Sequence, residues 1–431
     1  MSKRCNLKNH GSVLPLALIA VIILLMMGTA LLSMGLTNRM YSLRDKTDLV
    51  ARCAADAGAT EALFEMNNRL DMNTLIGYAM PSAYQTKLTS CEGLYSYLVT
   101  GSLAGGYKIT SLGESGNAKR VVTASVGLSG LFDHAILVKE NLILKSGTTV
   151  DGYNSSDPTA TDVPVNIGTE STVTGAVVLN NSVIIGGDVG VGMNGDIENV
   201  IKDLGATIEG DKYAASIIYP MPQVSVPALT DMGKSLTSKG GTITLTPAES
   251  GTYSSIDLQK GKDDGVLEIT GGDVVLHITG DIELDQSCEI VVRDGSTLKI
   301  YVDGDIQCRE GSGINTETPP EQAATLQLFA TGEGTQSLDI KAKSNWTGTI
   351  YAPNGNVILF AGTDAYGSIV ASSFEYKAGG DFHYDAALKE VTILDPGVRF
   401  TITQWKEGIL NTDAVVDLGS LSSVEVGILK E

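Results

Sequence analysis

Aromatic residues make up only 6 per cent of this 431-residue chain, tryptophan occurs twice and histidine four times. The five cysteines and four histidines form no Cys-x-x-Cys pair and no His cluster, so no metal is indicated and no cofactor is expected. Basic residues are also few, 30 against 50 acidic ones. The net charge of −20 disfavours a nucleic acid partner, because its phosphates are repelled by such a surface. Two local absences say more. No proline falls between Leu16 and Met80, which leaves room for one long helix, and no formal charge falls between Gly11 and Asn38.

Within that uncharged run, Val13 to Leu36 supplies 24 mostly apolar residues, and a membrane-spanning helix needs about 20. Lys3, Arg4 and Lys8 precede it and Arg39, Arg44 and Lys46 follow, so flanking charge does not set the orientation. A secretory signal peptide would be shorter and end in a small-x-small site, for which Gly28-Thr29-Ala30 is the one weak match. An uncut signal anchor is the other plain reading. Beyond the span, Met40, Leu43, Val50, Ala54, Ala57 and Phe64 recur at steps that suit one helix face, with Thr47 and Glu61 in the same stripe. The spacing predicts a single helix from Val13 to about Leu70, its first half in lipid and its second against protein.

Lys8-Asn9-His10-Gly11, then Ser12, then an apolar helix that turns amphipathic and closes on Ala54-Ala55-Asp56-Ala57-Gly58-Ala59-Thr60-Glu61-Ala62 resembles the N-terminus of type IV pilin-like proteins, above all the PilX-type minor pilins. The resemblance implies cleavage between Gly11 and Ser12 by a prepilin peptidase. It also implies assembly with other pilins or pilus assembly proteins through Leu16, Leu36, Met40, Leu43 and Val50. Major pilins carry glutamate at the fifth mature position, where this chain has Leu16, and a phenylalanine or methionine where it has Ser12; both departures point to a minor subunit.

The remainder is rich in glycine, 49 residues, and helical periodicity fades after about residue 100. Residues 71–130 read as a connecting region: helical or irregular segments around Tyr84, Leu88, Leu94, Tyr95, Tyr97 and Leu98, then a hairpin of Tyr107–Leu112 with Arg120–Val126 about Glu114-Ser115-Gly116-Asn117. From residue 131 to 395, strands of three to six residues alternate with Gly, Asn or Asp corners. Gly280-Asp281-Ile282-Glu283-Leu284 repeats as Gly304-Asp305-Ile306-Gln307-Cys308, an offset of 24 that also sets Ile290 over Ile314. A fixed period of that length predicts stacked coils, a parallel β-helix rather than a sandwich. Prolines 220, 222 and 227 cannot serve a central strand, so an excursion at about 200–240 divides the solenoid, and 396–431 reads as a tail. Gly-Asp before an apolar residue recurs at 187, 195, 272, 280, 304 and 380; its spacing is too irregular for a calcium β-roll and fits corner chemistry.

Gly348-Thr349-Ile350-Tyr351-Ala352-Pro353-Asn354-Gly355-Asn356-Val357, Tyr366-Gly367-Ser368-Ile369-Val370-Ala371 and Phe382-His383-Tyr384-Asp385-Ala386-Ala387-Leu388 resemble, over about residues 240–405, the β-helical domain often fused to PilX-type N-termini. His383 and Asp385 are two apart on a strand and so share a face, but nothing nearby in the sequence completes a catalytic set and a structural role is the simpler reading. A polysaccharide-cleaving enzyme on a β-helix is the rival of another class, with Glu283, Asp285 and Arg309 its loose candidates. Cys308 reads as a small core hydrophobe that does not stack on Cys288, while Cys53 and Cys91 are candidates for a disulfide stapling the loop to the helix. The sequence therefore predicts a mainly β chain with a long N-terminal α-helix, transmembrane then amphipathic, followed by a parallel β-helix. It would be a non-enzymatic minor pilin-like subunit of a bacterial inner or cytoplasmic membrane, its bulk extracytoplasmic, with the solenoid free to meet a surface ligand. The alternative is a signal-anchored adhesin outside any pilus system.

Overall fold

The computed structural model describes residues 13–409, without 73, 76–78, 90, 103–104, 161–162, 217, 220, 316–317, 342–344, 361–363, 378–379 and 391–394, and without the side chains of 13–16, 320, 321 and 409. The chain is mainly β, with one long N-terminal helix and parallel sheets. It divides into two units, residues 1–127 with 400–431 and residues 128–399.

In the first unit, α1 runs unbroken over Val13–Asp71, about 88 Å at 1.5 Å per residue. Strands β1 (Ser82–Lys87), β2 (Leu94–Ser102), β3 (Gly106–Ser115) and β4 (Ala118–Ser129) follow, and each pairs antiparallel with the next. Two sequence expectations are corrected here. Leu94, Tyr95, Tyr97 and Leu98 lie in a strand, not in helical or irregular segments; its large buried side chains, Tyr95, Tyr97 and Val99, fall at alternate positions, a period of two, with the small Ser96 also buried between them. Residues 399–409 are not tail: the strand Arg399–Ile409 extends the sheet beside β4. It is tied to α1 where the Phe400 N–H donates to Asn67 Oδ1 (2.8 Å) and Asn67 Nδ2 donates to the Phe400 carbonyl (3.1 Å), with the Phe400 ring edge-on to Tyr107.

The second unit is the β-helix. Among the described residues its strand pairings are all parallel, and the 24-residue register holds: Ile282 stacks on Ile306, Ile290 on Ile314 and Asp273 on Thr297. Inward positions form continuous apolar ladders. One reads Leu236, Ile256, Ile282, Ile306, Leu338, Val357, Phe374, Leu142, Val177, Ile201, every member buried. Each such side chain contributes roughly 1.5–3 kcal/mol by leaving water. That ladder does not follow chain order. The last coil, Ala365–Tyr376 with Phe382–Asp385, stacks on the first, Ile136–Val138, Leu142–Leu144 and Thr149–Tyr153, so the two ends of the unit meet in the middle of the stack. The excursion is shorter than expected, because Ile201–Asp203, Thr207–Ile208 and Lys212–Ala214 still pair within the N-terminal stack.

An outward column parallels the ladder, from Asp231 through Thr252, His277, Tyr301, Phe329, Tyr351, Val370, Leu137, Gly168 and Gly190 to Tyr213. Its apolar members Tyr301 to Leu137 face away from the main core yet are buried, because Met221, Val224 and Val226 of the proline-containing segment pack over them.

The recurrent Gly-Asp pairs have a specific geometry. Asp281 Oδ1 accepts the Asp305 N–H and Asp305 Oδ1 accepts the Ser337 N–H, both at 2.8 Å; Asp188 Oδ1 accepts the Asp211 N–H at 2.8 Å. Each carboxylate thus bonds the coil stacked next to it rather than its own turn. Glycine is needed because a Cβ at Gly304 would stand 2.3 Å from Asp281 Oδ1 and 2.5 Å from the Gly280 backbone. Gly304→Ala is expected to cost about 1–3 kcal/mol, read as a lower urea midpoint of the full chain in detergent; an unchanged midpoint would show that the corner has slack.

Candidate membrane and assembly helix

α1 is built in two halves. From Ala51 onward its buried residues are Ala51, Ala54, Ala55, Gly58, Ala59, Ala62, Met66 and Leu70, a stripe at helical spacing laid on β2 and β3. The stripe consists of small residues because the backbones nearly touch. A Cβ at Gly58 would meet Ser111 Oγ at 2.4 Å, and one at Gly113 would meet the Ala51 carbonyl at 1.9 Å. The hydrophobic stripe expected through Phe64 is therefore rotated: Phe64 is 68% exposed, and Glu61 turns to accept the Tyr95 hydroxyl (3.2 Å). The flank is held by charge. Arg120 pairs with Asp48 at 2.5 Å and Arg52 with Glu407 at 2.7 Å around a cleft of about 270 Å³.

The other half of α1 is bare. Its large apolar side chains from Leu18 to Leu36 are 44–68% exposed, and among the described residues this is the one helix long and apolar enough to cross a membrane; a signal sequence would meet the same test. Of the expected assembly residues, Leu36, Met40 and Leu43 are exposed, whereas Val50 is half-buried beside Gly93 of the sheet unit. Leu16 lies in α1, but its side chain falls outside the described residues, as does the whole Gly11–Ser12 junction. Cys53 and Cys91 are free thiols, so the expected staple is absent. Cys53 is exposed, one position off the alanine stripe, while the sheet meets the helix at Val50 and Ala54 through Gly93.

Residues 187–391 match a family described as Domain of unknown function (DUF7305). The matched span takes in the last N-terminal coil, the proline-containing segment and the C-terminal coils. No curated protein matches the chain. Among solved structures, the competence-associated pilin ComZ from Thermus thermophilus aligns at 16% identity over 85% of this chain and 98% of its own, with a TM-score of 0.23. An ice binding protein from an Antarctic Biological Consortium aligns at 13% identity over 58% of this chain and 87% of its own, with a TM-score of 0.17. Likenesses at such scores decide nothing about this chain.

His383 Nδ1 lies 2.5 Å from Asp151 Oδ1 on the neighbouring coil and its ring stacks on Tyr366. Asp385 has other partners: it is buried, accepting from the N–H and Oγ of Ser155 and the N–H of Ala387. The two side chains expected to share a face are thus engaged separately. Glu283 opens onto a groove of about 270 Å³ lined also by Asp281, Asp305 and Asp339, while Arg309 reaches Asp285 at 3.4 Å. A groove of that charge repels an acidic polysaccharide. Cys308 sits in the inner ladder between Leu284 and the next coil, its thiol pushed up to about 12 by burial, and Cys288 is likewise buried. Among the described residues no group of three or more His, Cys, Asp or Glu is arranged to hold a metal.

Two histidines respond to pH in opposite senses. Burial against the Tyr219 ring holds His134 down to about 4, Asp133 only partly opposing. Its folded value lies below the unfolded 6.5, so the unfolded chain takes up the proton first and stability falls between pH 6.5 and about 4, on the order of 3 kcal/mol in all. For His383 burial opposes charge but the Asp151 bond and charge, with Asp364 and Asp381, outweigh it and raise the pKa. Its contribution is present below about 6.5 and is lost as pH rises through the folded value. His134→Phe is expected to flatten the acid-side fall in the urea midpoint and leave the His383 component.

Proposed function

We propose that this chain is a minor pilin-like subunit whose bare α1 half is inserted in the membrane and packs against other pilins or pilus assembly proteins, while the β-helix is displayed outside the cell. The observation that carries this reading is the division of α1: one unbroken helix, its second half closed against its own sheet, its first half apolar and uncovered. A helix in that state requires lipid or other helices. Leu36, exposed at the end of the span, and Met40 and Leu43, exposed just beyond it, offer the contacts for a neighbouring subunit's helix. The leader motif ending at Gly11 and the Leu16 substitution support a processed minor subunit rather than a bulk filament builder. Adhesion to a surface ligand would fall to the solenoid, and the reading assigns the chain no catalytic activity. Intact-mass measurement on chain purified from membranes tests it: a mature protein starting at Ser12, with or without N-methylation, is expected. An uncut chain would sink it in favour of a signal-anchored adhesin.

A further inference from the structure

The solenoid consists of two stacks, an N-terminal one ending at Lys212–Ala214 and a C-terminal one starting near Asp231, joined at a seam where Ile369 pairs with Ile136 and Phe382 with Val150. The segment between them connects the two ends of one outward column, Tyr213 and Asp231. Ten strand spacings of about 4.8 Å separate those ends, about 48 Å. Eighteen residues at polyproline rise cover about 56 Å, so the span leaves little slack, and Pro222 and Pro227 favour an extended course for the described residues 221–230.

Its contacts descend the stack in order. The Tyr219 N–H donates to Glu170 Oε1 (3.1 Å) and the Tyr219 ring lies edge-on to His134, both on the N-terminal side of the seam. The Tyr351 hydroxyl then donates to the Pro222 carbonyl (2.6 Å) on the C-terminal side. Val224 is buried in the cluster holding Phe329 and Tyr301, and the Thr252 N–H closes the far end on the Thr230 carbonyl (2.8 Å). An aromatic-lined surface that bonds the carbonyls of an extended proline-containing segment is a recurrent mode of peptide recognition; here surface and segment belong to one chain.

We propose that Tyr219 and residues 221–230 act as a strap, docked as an internal polyproline-like ligand, that holds the seam between the two stacks closed. The strap bridges the joint at Tyr219 and Pro222, so its docking opposes separation of the first and last coils. The seam is the place to need it, since its partners are 232 residues apart in the Thr149–Asp381 bond and closing it carries a loop-closure cost that consecutive coils do not face.

Hydrogen exchange on the full chain in detergent tests this. Val224→Asp, which places a charge in the strap's buried contact, is expected to raise amide exchange at least tenfold in Ile136–Val138 and Phe382–Asp385 and to leave Ile282–Leu284 and Ile306–Cys308 unchanged. Tyr351→Phe, which removes only the hydroxyl, is expected to give the same pattern at a few-fold. A four-residue Gly-Ser insertion after the exposed Ala228 keeps the docked residues and should leave the seam as in the parent. A uniform rise, a rise confined to the strap, or an insertion as damaging as Val224→Asp would each overturn the proposal.

Discussion

Gly113→Val is expected to detach α1 from its sheet. A Cβ there would stand 1.9 Å from the Ala51 carbonyl oxygen and 2.3 Å from the Ala55 nitrogen. Both are helix backbone, which cannot turn aside as a side chain would, so the helix must rise. Lifting it uncovers Ala51, Ala54, Ala55, Ala59 and Met66, all fully buried. Overpacking and lost burial together should cost roughly 4 kcal/mol. Limited trypsin digestion of the detergent-solubilised chain reads the result, with cleavage after Arg52 and Arg69 accelerated by a hundredfold or more. Gly113→Ala should move in the same direction by a smaller amount, and parent-like digestion of both variants would contradict the close backbone contact.

Leu24→Arg is expected to remove the chain from the membrane fraction. Leu24 is 67% exposed near the middle of the uncharged run, and arginine at the centre of a spanning helix costs about 2.5–3.5 kcal/mol, where leucine is favourable. Alkaline carbonate extraction should leave the parent and Leu24→Ile in the pellet and release Leu24→Arg. Equal retention of all three would mean that α1 lies on a surface or against protein instead of spanning.

What the sequence made legible follows from how local each signal is. α1 could be traced because a 59-residue helix whose one proline, Pro15, falls in its first turn declares itself through propensity and composition. The solenoid could be traced because stacking repeats its register in the sequence itself, so the 24-residue offset alone pairs Ile282 with Ile306. The face of α1 that packs was misjudged because hydrophobicity was followed, while Gly113 and Gly58 select small residues. That choice depends on the backbone approach of Gly113 to Ala51 and Ala55, from a strand far along the chain. The Arg399–Ile409 strand was missed for a related reason: its partner β4 is separated from it by the whole second unit. The Gly-Asp pairs read as corners from turn chemistry, and Asp196 does bond its own turn through the Glu198 N–H, but the bonds of Asp188, Asp281 and Asp305 to the adjacent coil require knowing which coil is adjacent. Gly210-Asp211 was passed over because Lys212 follows, although its 23-residue offset from Asp188 was a usable signal.

The out-of-order stack also fixes a timetable. As the chain is made from its N-terminus, the coils from Ile136 to Ala214 emerge before the rest of the solenoid, and one edge of Ile136–Val138 must wait for Ala365–Tyr376. The sheet of the first unit waits longer still, since the strand beside β4 begins only at Arg399. Both closures depend on the last part of the chain to appear. Contacts so distant in sequence form slowly, and until they form, two sheet edges stand open to other copies. An arrest of synthesis or a proteolytic cut before residue 365 would therefore leave a half-stack with an exposed edge rather than a shorter solenoid.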